Sequence, residues 1–148
     1  MLVSELMSRS PVTVTPEDSA ALAARLMARN NVGALPVCTA DRRLRGMVTD
    51  RDITLRCTAS GLVPEETPVR EIMSRNITTC SPDEQASLAA GRMAASQVRR
   101  LPVVREGKLV GIVSLGDLAR RPALDMEAAR ALADISGFVR TPRPKPGK

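Results

Sequence analysis

The stretch Gly46-Met47-Val48-Thr49-Asp50-Arg51-Asp52 decides the fold, because its pattern returns as Gly111-Ile112-Val113-Ser114-Leu115-Gly116-Asp117. Each copy has a glycine, two apolar residues, a hydroxyl residue, two variable residues and an aspartate. The apolar pair is typical of the end of a buried strand, and the hydroxyl residue falls where a helix begins. A hydroxyl oxygen there accepts from the free N–H groups of the first turn, and an aspartate three residues later completes a capping box.

The same pattern has a second use. A helix start with free N–H groups and a hydroxyl binds phosphate, and an aspartate one turn further in can hold two vicinal ribose hydroxyls. The sequence therefore predicts helix caps at both copies and leaves a ligand role beside the cap open. The residues concerned are Thr49 with Asp52 and Ser114 with Asp117.

The two copies belong to a longer internal duplication. Pro82 follows Pro16 by 66 residues, Pro102 follows Pro36 by 66, and Gly111 follows Gly46 by 65. A sustained offset of this kind indicates two copies of one structural unit. We expect repeat 1 over residues 1–59, a connector over 60–68, repeat 2 over 69–121, a helix over 122–137 and a basic, proline-rich disordered tail over 138–148.

Both repeats predict one order of elements: a leading helical turn, then strand, helix, strand, strand and helix. Strands are expected at 12–14, 34–38 and 44–48 in repeat 1, and at 77–80, 101–104 and 109–113 in repeat 2. The helices are expected to start at Thr15, Thr49, Ser81 and Ser114, the first with Pro16 at its first position. Alanines at helical spacing mark the buried faces. The fold class is α/β (α+β), built from two βαββα units.

Charge and aromatic content argue against a nucleic-acid partner. The formal net charge is +6, and Arg140, Arg143, Lys145 and Lys148 near the end supply four of these charges. A nearly neutral body is poorly suited to neutralising many phosphates. The chain has no Trp or Tyr and one Phe, so it lacks aromatic residues for base stacking. Nucleic-acid binding through the tail remains an alternative.

The reactive residue types are few. Cys38, Cys57 and Cys80 have no CxxC spacing, which predicts reduced, mostly buried thiols in a reducing compartment, with a redox role as the alternative. The absence of histidine excludes Ser–His and Cys–His catalysis and histidine metal ligands, so we expect neither an enzyme nor a metal site. We found no signal peptide and no stretch of the roughly 20 apolar residues of a membrane helix. These observations predict a cytoplasmic protein without a membrane partner.

Residues 3–120 resemble a tandem pair of cystathionine-β-synthase (CBS) domains. The resemblance rests on the glycine motifs above together with Ala34-Leu35-Pro36-Val37 and Arg99-Arg100-Leu101-Pro102-Val103-Val104. The chain is most similar in appearance to small stand-alone CBS-pair proteins of the hypoxic-response type from actinobacteria. The resemblance implies pseudo-two-fold repeats, two clefts between them and a homodimer formed through the helices.

The resemblance also implies a ligand and its contacts. The ligand is an adenosine compound such as AMP, ADP, ATP or S-adenosylmethionine. The motif hydroxyls meet its phosphate and the motif aspartates its ribose, while backbone frames the adenine. Arg51 is the local cation of the first motif; Gly116 takes its place in the second, where Arg99 or Arg100 would supply the cation unless they form a solvated or interface pair. The residues implied for adenine are Thr13, Val14, Leu35, Thr78 and Thr79.

Two functions therefore follow from the sequence. The first is a regulatory module that binds an adenine nucleotide and acts as a dimer on an unidentified protein partner. The alternative is a dimeric interaction or scaffold protein of the stress response that holds no ligand.

Overall fold

The computed structural model describes residues 1–138. Its strands are β1 (Ser8–Arg9), β2 (Ala34–Cys38), β3 (Leu44–Thr49), β4 (Arg100–Arg105) and β5 (Lys108–Ser114). Its helices are α1 (Ala20–Asn30), α2 (Asp50–Asp52), α3 (Ala86–Ser96), α4 (Leu115–Ala119) and α5 (Asp125–Phe138). A π-helical segment, Ile53–Thr58, continues α2, and single 3-10 turns lie at Val3–Glu5, Pro64–Glu66, Val69–Glu71 and Pro122–Leu124.

Each repeat contains one antiparallel hairpin of the expected strands. β2 pairs with β3, placing Ala34 opposite Thr49, and β4 pairs with β5, placing Arg100 opposite Ser114. The second hairpin turns at Glu106 and Gly107, both with positive φ, as a tight hairpin turn requires. These pairings confirm the expected strands at 34–38, 44–48, 101–104 and 109–113.

The leading segment of each repeat packs on the other repeat. The Val3 N–H donates to the Glu84 carbonyl at 2.9 Å, and the Val69 N–H donates to the Asp18 carbonyl at 2.8 Å. β1 likewise pairs with β5 of repeat 2, and Ser74 bridges to Met47 of repeat 1. These reciprocal contacts make the two halves a pseudo-two-fold pair in which the leading segments are exchanged.

Two apolar cores reflect the same exchange. One core joins the buried face of α1 to β2 and β3 and includes Val69 and Ile72 from the leading segment of repeat 2. The other joins α3, α4 and α5 to β4 and β5 and includes Val3 from the leading segment of repeat 1. The predicted alanine stripes are buried, except that Ala24 is half-buried: Ala20, Ala23 and Met27 in α1, and Ala86, Ala89, Ala90 and Met93 in α3.

Gly46 and Gly111 are required by the close passage of the exchanged segments. A Cβ at Gly46 would overlap the Ser74 carbonyl oxygen, and a Cβ at Gly111 would lie 2.8 Å from the Ser8 carbonyl oxygen. The first glycine of the repeated motif is therefore the place where backbone from the other repeat crosses the strand.

The predicted strands at 12–14 and 77–80 are wrong. Val14 and Cys80 each form a single bridge, to Val37 and Val103 respectively. Pro16 and Pro82 lie two residues after Val14 and Cys80. Because proline has no N–H, the next hydrogen bond that would extend each bridge into a strand cannot form.

The predicted starts of α1 and α3 are also wrong. The Ser19 hydroxyl caps α1 by accepting from the Leu22 N–H at 3.0 Å, and the Asp18 carboxylate closes a separate turn on the Thr15 N–H at 2.8 Å. In repeat 2 the Ser81 N–H donates to the Glu84 carboxylate at 2.9 Å, again before the helix begins. Ser19 forms a β-bridge with Pro68, and Gln85 forms one with Leu2. These bridges to the exchanged segments keep the residue before each helix in an extended backbone conformation.

The C-terminal part agrees with the expected helix over 122–137, since the Pro122–Leu124 turn leads into α5. The predicted tail over 138–148 lies outside the described residues apart from Phe138, where α5 ends.

We expect Gly46→Ala to lower the free energy of unfolding by about 2 kcal/mol, because the added methyl group overlaps backbone that cannot retreat without separating the repeats. Gly91→Ala is the control, since Gly91 is exposed on α3 and its Cβ would meet nothing within 4 Å. That change should stabilise the helix by up to about 1 kcal/mol. Urea unfolding measures both, and equal effects would contradict the crossing contact.

Candidate functional site

A cleft of about 710 Å³ lies between the repeats, within the roughly 300–1,000 Å³ typical of small-molecule sites. We call it the Thr49 cleft. Repeat 1 lines it with the end of its hairpin and the start of α2, namely Gly33, Ala34, Met47, Thr49, Asp50 and Arg51. Repeat 2 contributes the segment after its leading turn and the region around the loop between α3 and β4. These residues are Ser74, Asn76, Ile77, Thr78, Ser96, Gln97, Val98, Arg99, Arg100 and Pro102. Ile135 of α5 closes one side of the cleft.

The start of α2 has the predicted capping box. The Thr49 hydroxyl accepts from the Asp52 N–H at 3.0 Å, and the Asp52 carboxylate accepts from the Thr49 N–H at 3.0 Å. The other carboxylate oxygen of Asp52 lies 3.6 Å from the Arg56 guanidinium, and the residue is only 8% exposed. Thr49 lines the cleft and Asp52 does not, and the two hydrogen bonds show the capping role of Asp52 directly.

The second motif has the same cap. The Ser114 N–H donates to the Asp117 carboxylate at 2.8 Å, and the Asp117 N–H donates to the Ser114 hydroxyl at 3.1 Å. Neither residue lines the Thr49 cleft. Asp117 instead borders a smaller cavity of about 240 Å³ with Leu6, Arg120 and Arg121.

Three arginines meet at the Thr49 cleft. Arg51 comes from the first motif, while Arg99 and Arg100 come from the opposite wall. Our expectation assigned Arg99 or Arg100 to the second motif; the structure places both in the lining of the Thr49 cleft. Arg100 also pairs with Ser114 in the hairpin, as Ala34 pairs with Thr49, so its expected role at the second motif stays a prediction.

The other candidate residues are divided between the cleft and the core. Thr78 lines the cleft, where its hydroxyl lies 2.8 Å from that of Ser96. Thr79 lies beside it, and its carbonyl accepts from Arg92 at 3.3 Å. The remaining three are not part of this lining: Thr13 is half-buried, and Val14 and Leu35 are core side chains.

The sequence did not indicate several of the residues that line the cleft. Asp50 follows the cap residue, and its exposed carboxylate accepts from the Arg51 N–H at 2.8 Å. Gln97 ends α3 in the left-handed conformation, and its side-chain oxygen faces no hydrogen-bond partner among residues 1–138. For Gln97 the sequence offered a signal, namely a polar residue at a helix end shortly before a strand that contains proline. For Ile135, which closes one side of the cleft, the sequence offered none.

The cysteines have the environment of structural thiols. All three are buried and free. Burial raises the pKa of Cys80 to about 11 and also raises the pKa of Cys38, so both thiols stay protonated at neutral pH. Protonated thiols are poor nucleophiles, which disfavours a redox role for these two residues. Over the described part of the chain there is no group of three or more potential metal ligands, and none of its helices is long and apolar enough to cross a bilayer.

The repeated cap motif, the exchanged segments and the cleft between the halves define a tandem-repeat module of one known class. The CBS domain model matches residues 3–57 and 69–123, and the chain belongs to the CBS domain family. CBS domain proteins are generally regulatory, non-catalytic modules.

Two curated relatives cover most of the chain. The CBS domain-containing protein YhcV of Bacillus subtilis is 44% identical over 134 residues, covering 90% of this chain and 94% of YhcV. Hypoxic response protein 1 of Mycobacterium tuberculosis is 36% identical over 116 residues, covering 78% of this chain and 81% of that protein. The resemblance to hypoxic-response-type CBS proteins is thereby confirmed.

Solved structures confirm the fold. The crystal structure of Hypoxic Response Protein I with two coordinated zinc ions has a TM-score of 0.77 at 35% identity, covering 82% of this chain and 98% of that one. A CBS domain protein from Pyrobaculum aerophilum complexed with AMP has a TM-score of 0.77 at 31% identity, covering 87% and 98%. The CBS domain pair of protein MJ0100 with 5′-methylthioadenosine and S-adenosyl-L-methionine has a TM-score of 0.72 at 29% identity, covering 81% and 94%.

We expect Asp52→Ala to lower the free energy of unfolding by about 1–2 kcal/mol, because it removes the acceptor for the Thr49 N–H and leaves Arg56 without its ion pair. The matched control is Asp50→Ala, two residues earlier on the same turn, whose exposed carboxylate bonds only to the next N–H in the described structure. Its effect should stay within about 0.5 kcal/mol. Thermal unfolding of both variants measures these changes in stability. An Asp52→Ala variant as stable as the wild type would argue against the capping role.

Proposed function

We propose that this protein is a regulatory sensor that binds an adenosine-containing ligand in the Thr49 cleft and passes the signal to another protein. The observation that carries the proposal is the composition of the cleft, where one repeat supplies a capped helix start and the other supplies an apolar wall beside arginines. A ligand in such a composite site contacts both halves at once. Its binding therefore favours one relative placement of the repeats over others.

The adenine is assigned to the apolar part of the cleft. Ile77, Val98 and Pro102 of repeat 2 face this space together with Met47 of repeat 1. Aliphatic side chains on two sides provide a slot for a flat ring, and backbone groups of the loop before β4 provide edge contacts. This wall takes the role that aromatic residues play in other nucleotide sites.

The ribose and phosphate are assigned to the start of α2. The Thr49 hydroxyl faces the cleft at the point where the motif ends and α2 begins. Arg51 and Arg99 provide cations from opposite walls, and arginine forms strong, charge-assisted hydrogen bonds to phosphate. The Asp52 carboxylate caps the Thr49 N–H, pairs with Arg56 and does not line the cleft, so we assign it to holding the start of α2 in place rather than to a direct ribose contact.

The relatives support an adenosine ligand in general terms. Structures of two similar CBS proteins contain AMP in one case and 5′-methylthioadenosine with S-adenosyl-L-methionine in the other. We propose no zinc site to match the zinc ions of Hypoxic Response Protein I, because this chain has no histidine and its described residues include no group of three or more potential metal ligands. A cytoplasmic location stays a prediction.

We expect Val98→Asp to abolish AMP binding, because it replaces an apolar wall of the cleft by a carboxylate that repels phosphate. Val98 is 36% exposed, so the change costs little stability. Val63→Asp is the matched control, since Val63 is 50% exposed in the connector and lies outside the cleft. Isothermal titration with AMP should show binding to the wild type and the control only. Binding to Val98→Asp with unchanged affinity would refute this placement of the ligand.

The second candidate is a dimeric scaffold, favoured by apolar side chains on the helical surface. Leu88 of α3 and Met126 and Leu132 of α5 are exposed, Met126 by 75%. Exposed apolar patches commonly mark protein interfaces, and we assign this one to a second copy of the chain. Both candidate functions include this dimer, but only the sensor binds a nucleotide.

We expect light scattering to give twice the chain mass of 15.8 kDa, and Met126→Glu to shift the protein towards the mass of one chain because it buries a charge in the interface. A wild-type mass of one chain would remove the dimer from both candidate functions.

A further inference from the structure

The helix α5 is an addition to the repeated fold. The match to the CBS domain family ends at residue 123, and α5 follows it. α5 packs against α3 and α4 of repeat 2, whereas on repeat 1 the Pro64–Glu66 turn of the connector packs against α1. The connector is fixed at both ends by the repeats that it joins. α5 is entered from repeat 2 and leads to no further element of the described structure.

Apolar packing alone holds α5 in place. Its buried side chains are Ala128, Ala131 and Ile135, which share one face of the helix. Over residues 125–136, α5 makes no hydrogen bond or ion pair to another element of the described structure. The connector is tied more firmly, since the Ala20 N–H donates to the Thr67 carbonyl at 2.8 Å. Two alanines and one isoleucine bury little apolar area, so α5 separates from repeat 2 more easily than the core helices do.

The first half of α5 is also packed loosely. A groove of about 200 Å³ lies between α3 and α5, beside Gly91 and Ala131. A Cβ at Gly91 would meet nothing within 4 Å, which confirms the open space on this side of α3. Within residues 125–136 the one large buried side chain is Ile135, at 8% exposure. The second half of α5 therefore provides its main anchor.

That anchor lies in the ligand site. Ile135 belongs to the core of repeat 2 and also closes one side of the Thr49 cleft. The opposite side of α5 exposes Met126 and Leu132, which together with Leu88 of α3 form the apolar patch assigned above to a second copy. We call these three residues the dimer patch. Because the patch is divided between α3 and α5, it is complete only while α5 is docked.

Building on the proposed function, we propose that α5 is a latch that couples the Thr49 cleft to the dimer patch. A ligand in the cleft packs against Ile135 and so favours the docked position of α5. Docked α5 holds Met126 and Leu132 beside Leu88, which completes the surface that a second copy binds. By linkage, dimer formation raises the affinity for the ligand by the same factor as the ligand strengthens the dimer.

Hydrogen exchange of the full-length chain, read by mass spectrometry with and without saturating AMP, tests the latch. Without AMP, the amides of residues 129–136 should exchange faster than those of residues 90–96 in α3, because α5 undocks more often. AMP should slow exchange in α5 about tenfold. Unchanged α5 exchange in a protein that binds AMP would overturn the inference and leave the proposed function standing. If AMP does not bind, the proposed function fails and the inference fails with it.

Two variants on α5 test the residue that transmits the effect. Ile135→Ala should speed exchange in α5 and remove most of the slowing by AMP, because the side chain that meets the ligand is lost. Ala133→Gly is the control, since Ala133 is exposed and lies outside both the cleft and the dimer patch. It should also speed exchange, by lowering helix propensity, but keep the slowing by AMP. An AMP effect of equal size in both variants would overturn the role of Ile135.

Sedimentation of a dilution series tests the link to the dimer. AMP should lower the concentration at which half of the wild-type chains are dimeric by about tenfold, and should leave this concentration unchanged for Ile135→Ala. The same midpoint for the wild type with and without AMP would overturn the coupling between cleft and patch.

Discussion

The structure depends on the passage of each leading segment across a glycine of the other repeat. Ser74 crosses β3 at Gly46, and Ser8 crosses β5 at Gly111, in both cases too closely for a Cβ atom. These crossings place Val3 and Val69 in the core of the opposite repeat. Neither half therefore buries its apolar surface alone, and the angle between the halves is set by backbone contacts as well as by side chains.

The cleft is a consequence of that arrangement. Ser74 crosses β3 within the motif. The residues that follow it, from Asn76 to Thr78, therefore lie on the same cleft as the start of α2. A ligand between them touches one wall from each repeat. This geometry suits a sensor, because a small change in the angle between the halves alters both the ligand contacts and the surface offered to a partner.

Local patterns in the sequence predicted the parts of the fold that depend on neighbouring residues. The capping boxes at Thr49 and Ser114, the hairpin turn at Glu106-Gly107 and the alanine stripes all follow from spacing within one element. The failures have a shared cause in contacts between distant segments. Ser19 rather than Thr15 caps α1 because residues near Pro68 hold it extended, and 12–14 is no strand because its chain meets β2 at one residue.

The candidate site shows the same division between local and distant information. Thr49, Arg51 and Thr78 were predicted from motif and resemblance and do line the cleft, whereas Asp50, Gln97 and Ile135 required the three-dimensional arrangement.

The most direct test is equilibrium dialysis of the purified protein against saturating ATP, read by ultraviolet absorbance. With no Trp or Tyr in the chain, the adenine band reports bound nucleotide almost without background. Our account predicts an excess of adenine on the protein side of at least one nucleotide per chain, and no excess would contradict it.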